Sequence, residues 1–108
     1  MSKKDRKNSK VLAVIKTSGK QKYVLKLFVT GNLPNSSRAI ININAICRKY
    51  LHGRYDLEII DIYQKPHQAI IEDIIAAPVL IKKFPVPEER FIGDLSDHQT
   101  VVKELRII

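Results

Sequence analysis

The stretch Tyr23-Val-Leu-Lys-Leu-Phe-Val-Thr-Gly-Asn-Leu-Pro-Asn-Ser-Ser-Arg38 narrows the range of folds more than any other part of the chain. Tyr23 to Thr30 is β-prone and mostly apolar, as in a strand covered on both faces of a sheet. It runs directly into a glycine-proline turn, after which Ala39 to Leu51 repeats apolar residues at helical spacing. Asn35 or Ser36 offers an oxygen to the free N–H groups at the start of this helix. Gly53 suits the left-handed residue that stops it. Tyr55 to Tyr63 then reads as a second strand. Two strands bracketing a helix imply a right-handed crossover with parallel pairing.

Pro66 starts a second, shorter helix in which the pairs Ile70/Ile71 and Ile74/Ile75 sit one turn apart. Ala76-Ala77-Pro78 leads into a strand from Val79 to Phe84. Pro85-Val86-Pro87 makes a stiff turn, and Arg90 to Ile92 is a short strand ending at Gly93-Asp94. Ser96 begins the final helix, with Gln99 three residues later completing a capping box. Its apolar positions are Val101, Val102, Leu105 and Ile108.

The order βαβαββα is that of an α/β, thioredoxin-like sandwich. Redox members carry Cys-x-x-Cys in the first strand-to-helix turn, whereas Gly31-Asn-Leu-Pro-Asn-Ser36 contains no sulfur. The single cysteine, Cys47, lies in line with Ile40, Ile43 and Tyr50 and reads as a small buried hydrophobe. His52, His67 and His98 share no ligand spacing, so neither a metal nor another cofactor is expected. Glu72/Asp73 and Glu88/Glu89 are adjacent pairs, and neighbours on a helix or turn do not converge on one site. With no nucleophile elbow, P-loop or zinc motif, nothing argues for an enzyme.

The chain has 108 residues and a formal charge of +8, which raises the question of nucleic acid. Residues 1–22 hold eight basic residues against one acid, while eleven basic residues face ten acidic ones from Tyr23 onward. The folded part is thus nearly neutral, with no basic face for a phosphate backbone. Residues 1–21 read as a solvated, disordered basic arm and 22–108 as one domain. The arm's only apolar run, Val11 to Ile15, is too short for a signal-peptide core or a membrane span. A soluble, cytoplasmic protein is expected.

Residues 23 to 39 are very similar to the start of KaiB, a small regulator of the cyanobacterial circadian oscillator. Three further stretches extend the resemblance. They are Leu57-Glu-Ile-Ile-Asp-Ile62 with Pro66, Ala76-Ala-Pro-Val-Leu-Ile-Lys82, and Phe84-Pro-Val-Pro87 with Arg90-Phe-Ile-Gly-Asp-Leu-Ser-Asp97. Gly-Asn-x-Pro-Asn-Ser together with Ile-Gly-Asp-Leu-Ser is a highly specific combination, and the chain is identified as a member of the KaiB family.

The resemblance implies a non-enzymatic adaptor that binds a KaiC-like ring ATPase and, in a full clock, captures KaiA. It also implies a metamorphic chain, with a KaiB-type tetramer fold as the alternative to the thioredoxin-like monomer, so a dimer or tetramer enters the expectations. Positions matching partner contacts are Tyr23, Arg38, Lys82 and Arg90, and the Arg and Lys among them would meet acidic groups on a partner. Pro78, Pro85, Pro87, Gly93, Glu104 and Arg106 are the positions tied to the fold itself. Thioredoxin-like folds place a cis proline before the third strand, so Ala77–Pro78 is expected to be cis.

Departures from the family bear on the same points. Glu58 stands where the family often has Lys, on the strand edge that receives KaiA, and this reads against KaiA binding. Glu89 also stands where the family tends to be basic. Glu104 replaces a family Gly, which favours a helix by very roughly half a kcal/mol, and Arg106 replaces an Asp in what reads as the last turn. A helix from about Ser96 to Arg106 in the thioredoxin-like state is therefore expected. Two alternatives stay open. One is a KaiB-like sensor domain of a two-component system, which the end of the chain at Ile108 reads against. The other is a thioredoxin-fold protein whose basic arm binds nucleic acid.

Overall fold

The computed structural model describes residues 22–107. The expectations for the basic arm and for Ile108 lie outside the described residues. The elements are β1 (Tyr23–Val29), α1 (Pro34–Tyr50), β2 (Tyr55–Asp61), α2 (Pro66–Ile71), β3 (Val79–Phe84), β4 (Glu89–Ile92) and α3 (His98–Glu104). This is the expected βαβαββα order. The four strands form one mixed sheet in the order β2-β1-β3-β4, with β1 and β2 parallel and β3 antiparallel to both β1 and β4.

The apolar character of β1 has the anticipated cause. Tyr23, Leu25, Leu27 and Val29 pack towards α1 and α3, and Phe28 faces the other way with Ile60, Val79 and Ile81. From α1 the face of Ala39, Ile43, Ile46 and Cys47 is buried, and from α3 Val101 and Val102. Cys47 is a free, buried thiol whose pKa burial pushes up to about 12, so it stays protonated and inert. Ala77–Pro78 is cis, as are Phe84–Pro85 and Val86–Pro87.

Helix ends differ from the sequence expectations. Helix α1 begins five residues earlier than Ala39, with Pro34 in its first turn and no side-chain cap at Leu33. Ser36 is turned inward instead, its hydroxyl accepting the Thr30 N–H at 3.0 Å and so closing the strand-to-helix turn. At the final helix Asp97, not Ser96, is the cap. Its carboxylate accepts the Thr100 N–H at 3.2 Å and the Thr100 hydroxyl at 2.7 Å. Gln99 therefore completes no capping box. Arg106 lies beyond the helix in left-handed backbone at φ 63°, so Lys103 is the cation in the last turn.

Helix α2 is shorter than its isoleucine spacing suggests. Asp73 turns left-handed at φ 56°, and the path ends before Ile74 completes a second apolar turn. Only Ile74 of the four isoleucines packs against the sheet, while Ile71 is 66% exposed and Ile75 92%.

Candidate partner-docking site

The four residues singled out for partner contact fall into three environments. Tyr23 opens β1 and is only 4% exposed. Its hydroxyl donates to the carbonyl oxygens of Leu105 at 2.9 Å and Arg106 at 3.2 Å, tying the end of α3 to the start of the sheet. Burial raises its phenol pKa above the ordinary value, a shift that Arg54 opposes and Glu89 reinforces.

Lys82, expected on the surface, is fully buried, which corrects the expectation that it is an exposed contact. In β3 it follows Leu80 on the face covered by the helices, and its Nζ lies 3.0 Å from Glu89 Oε1 on the neighbouring strand. The angle of that contact lies outside hydrogen-bond geometry. Glu89 reaches onward to Arg106 at 3.4 Å, so Lys82, Glu89 and Arg106 form an internal chain of alternating charge. The Lys82 ammonium is the main reason the Glu89 carboxyl sits below the usual carboxylate range. A bare ammonium in an apolar layer is strongly unfavourable, and the partner on β4 offsets that cost. Tyr23 and Lys82 thus bind the molecule to itself.

Arg38 and Arg90 remain at the surface. Arg38 sits in the second turn of α1, its side chain 54% exposed, with Nε 3.2 Å from Asp94 Oδ2. Its terminal nitrogen donates to Asn35 Oδ1. Asp94 is itself fixed by the loop after β4. Its other oxygen accepts the Ser96 N–H at 3.1 Å, and its carbonyl accepts from Asn42 Nδ2 at 2.7 Å. Asn42 Oδ1 then faces His98 Nε2 at 3.0 Å. Because the Asn42 amide nitrogen is committed to Asp94, that oxygen must accept, and His98 Nε2 carries the proton. Ser96 is the principal cause, ahead of Arg38, holding the Asp94 carboxyl below the usual range.

The rim around Arg38 follows from topology. The end of β1, the start of β3 and the end of β4 meet at one end of the sheet, where the Gly93 N–H donates to the Pro78 carbonyl at 3.0 Å. Gly93 takes φ 119°, a backbone conformation L side chains rarely adopt. Leu33 and Tyr63 stand exposed at this end.

Arg90 lies on the opposite face of β4 from Phe91. It donates to the Glu72 carbonyl and lies 3.7 Å from the Glu72 carboxylate. Lys83 joins Glu72 at 3.2 Å and Glu88 at 3.1 Å, and those two carboxylates, Glu88 first, raise its pKa. Glu72 and Glu88 are therefore paired with cations rather than simply solvated. A shallow groove of about 360 Å³ between β4 and α3 is lined by residues of β4, the loop after it and α3, Arg90 and Asp94 among them.

The sequence reading did not single out the isoleucines of α2, whose spacing is ordinary for a helix, and Ile70 and Ile71 stand exposed. Among the described residues no group of His, Cys, Asp and Glu has the arrangement to hold a metal ion. No described helix is long and apolar enough to cross a membrane.

The KaiB domain family matches residues 26–107. Circadian clock protein KaiB3 of Synechocystis sp. is 44% identical over 85 residues, which cover 79% of this chain and 83% of that protein. Circadian clock oscillator protein KaiB of Cyanothece sp. is 43% identical over 89 residues, 82% of this chain and 85% of that one. Among solved structures, the N-terminal domain of Synechococcus elongatus SasA superposes with a TM-score of 0.65 at 19% identity, over 82% of this chain and 84% of that one. Chloroplastic thioredoxin z gives 0.67 at 14% identity, over 89% and 87%. At such identities these two likenesses establish the fold alone, and that fold is thioredoxin-like without a redox cysteine pair.

Proposed function

The chain belongs to the KaiB family of circadian clock proteins, and from that premise we propose that it is a non-enzymatic regulator of a KaiC-like hexameric ATPase. In this reading residues 22–108 are the working domain in the cytoplasm, and binding modulates the partner's phosphorylation or ATPase cycle. The observation that carries the reading is Arg38. It is exposed on the rim that gathers the β1–α1 turn, Pro78 and Gly93, and is oriented there by Asn35 and Asp94. A guanidinium held in place by neighbours loses little freedom when it meets a carboxylate, and it presents a planar fork for two hydrogen bonds. Arg90, 38% exposed in its side chain, supplies a second cation on β4. Tyr23 and Lys82 support the docking face from within.

Calorimetric titration of the protein into a KaiC-like ATPase tests this. Arg38→Glu is expected to weaken the complex about tenfold or more, which is roughly 1.4 kcal/mol. Arg90→Glu is expected to weaken it less, because its guanidinium is already engaged by Glu72. Unchanged affinity in both variants, with unaltered circular dichroism, removes the arginines from the interface.

A further inference from the structure

Asp94, in the loop between β4 and α3, is held from α1 by two residues four apart on one helical face. Arg38 meets its carboxylate, with Nε 3.2 Å from Oδ2, and Asn42 Nδ2 donates to its carbonyl oxygen at 2.7 Å. The Asn42 amide is itself oriented by His98, the first residue of α3, whose Nε2 lies 3.0 Å from Oδ1. A side-chain amide satisfies both ends at once, donating to the carbonyl and accepting from the ring. A carboxylate at this position has no donor for the carbonyl, and alanine has neither group.

The next residue carries unfavourable backbone. Leu95 has φ 62°, in the left-handed region that L side chains rarely adopt. Asp73 and Arg106, the other described non-glycine residues with positive φ, each follow the end of a helix, where such backbone is common. Leu95 ends no helix, and its side chain is buried in the large apolar cluster. Turning the Asp94–Leu95 peptide plane changes ψ of Asp94 and φ of Leu95 together. Such a turn would return Leu95 to negative φ and swing the Asp94 carbonyl away from Asn42. The Gly93 N–H bonded to Pro78 and the Ser96 N–H bonded to Asp94 Oδ1 anchor the loop on either side. Asn42 anchors the plane between them. The cost of one left-handed residue and the net worth of one hydrogen bond are of similar size. The bond from Asn42 is therefore large enough to decide between the two orientations.

We propose that Asn42 is the positioning residue of this loop, a latch that keeps Leu95 left-handed and so holds the Asp94 carboxylate against Arg38. When the latch is released, the plane turns, Leu95 relaxes and the carboxylate leaves the guanidinium. Arg38 then keeps Asn35 as its partner and loses the contact that fixes Nε. A wandering guanidinium gives up more freedom on meeting a partner carboxylate, so docking weakens although Asn42 touches no partner. The effect on a partner rests on the reading of Arg38 as a docking residue, whereas the latch itself does not.

NMR of the full chain tests the latch without any partner. The Overhauser contact between the amide proton and Hα within Leu95, strong when φ is positive, is expected in the wild-type protein. In Asn42→Ala it is expected to weaken, and the Arg38 Nε–H resonance to move towards that of an exposed arginine. His98→Ala, which leaves Asn42 in place but no longer oriented, is expected to do the same to a smaller degree. It decides the matter if variants at position 42 do not fold. A negative φ at Leu95 in the wild type overturns the proposal. An unchanged Leu95 contact or an unmoved Arg38 resonance in folded Asn42→Ala overturns it too, as does no change in His98→Ala if that is the variant that folds. Titration into a KaiC-like ATPase then reads the consequence. Asn42→Ala is expected to weaken binding about threefold, and to add nothing once Arg38 is alanine. Equal losses in both backgrounds overturn the route through Arg38. Failure of the wild-type protein to bind removes the docking reading, while the two resonances still decide the latch.

Discussion

The face of the sheet under α1 and α3 and the face under α2 are built from the same four strands and finished in different ways. Beneath α1 and α3, fifteen buried residues form one cluster from Tyr23 to Leu105. On the other side, among the described residues, only Phe28, Ile60, Val79 and Ile81 form a buried cluster, under a helix of six residues that buries none of its own. The contrast separates two jobs that a small domain must fit on one sheet. Cohesion comes from the face where two helices remove apolar surface from water. The face with the short helix keeps cations, carboxylates and isoleucines at the surface, where substitution costs little.

Truncation on the two faces is the strongest way to break that contrast. Leu27→Ala, in the large cluster, is expected to cost about 3 kcal/mol in urea unfolding, since it leaves a cavity in a packed layer. Ile71→Ala, on the exposed side of α2, is expected to stay within about 0.5 kcal/mol. Equal losses would show that the thinly covered face carries as much of the stability as the other.

The Lys82–Glu89 pair sharpens the comparison, because it puts charge into the cohesive face. Glu89→Gln leaves the buried ammonium facing a neutral amide, and the denaturation midpoint is expected to fall clearly. Lys82→Met added to Glu89→Gln is expected to recover most of that loss, since methionine refills the apolar volume without a charge. If Glu89→Gln alone is neutral, water reaches Lys82 and the layer is less dry than its burial indicates.

The smallest expected effect concerns the loop that joins the faces. Asp97 is held below the usual carboxylate range, chiefly by the Thr100 hydroxyl, and Asp94 chiefly by Ser96. A carboxyl whose pKa is depressed by folding contributes stability that is complete above its unfolded value near 4. That contribution is lost as pH falls through the folded value. The urea midpoint is therefore expected to decline between about pH 5 and pH 2. Asp97→Asn, which keeps an acceptor at the cap but cannot titrate, is expected to flatten the decline. An unchanged slope would move the acid sensitivity to Asp94 and Glu89.

Much of this molecule was legible before any coordinates. Mostly apolar, β-prone runs gave β1 and β3, helical spacing gave α1, and the bracketed helix gave the parallel β1–β2 pair. The Gly31–Ser36 turn showed that the scaffold holds no dithiol. The motifs of residues 23–39 and 90–97 pointed to the family. These are properties of neighbours along the chain, which periodicity and turn chemistry express directly. The tertiary structure alone decided where each polar atom went. Ser36 closes a turn with Thr30 instead of capping a helix, because β1 brings that N–H within reach. Lys82 lies inside because Glu89 arrives opposite it from the next strand. Asp97 takes the cap from Ser96 because the loop after Gly93 spends Asp94 on Arg38 and on the Ser96 N–H. A lysine, a serine or an aspartate carries no local mark of its partner, because the partner is supplied by chain that lies elsewhere in sequence.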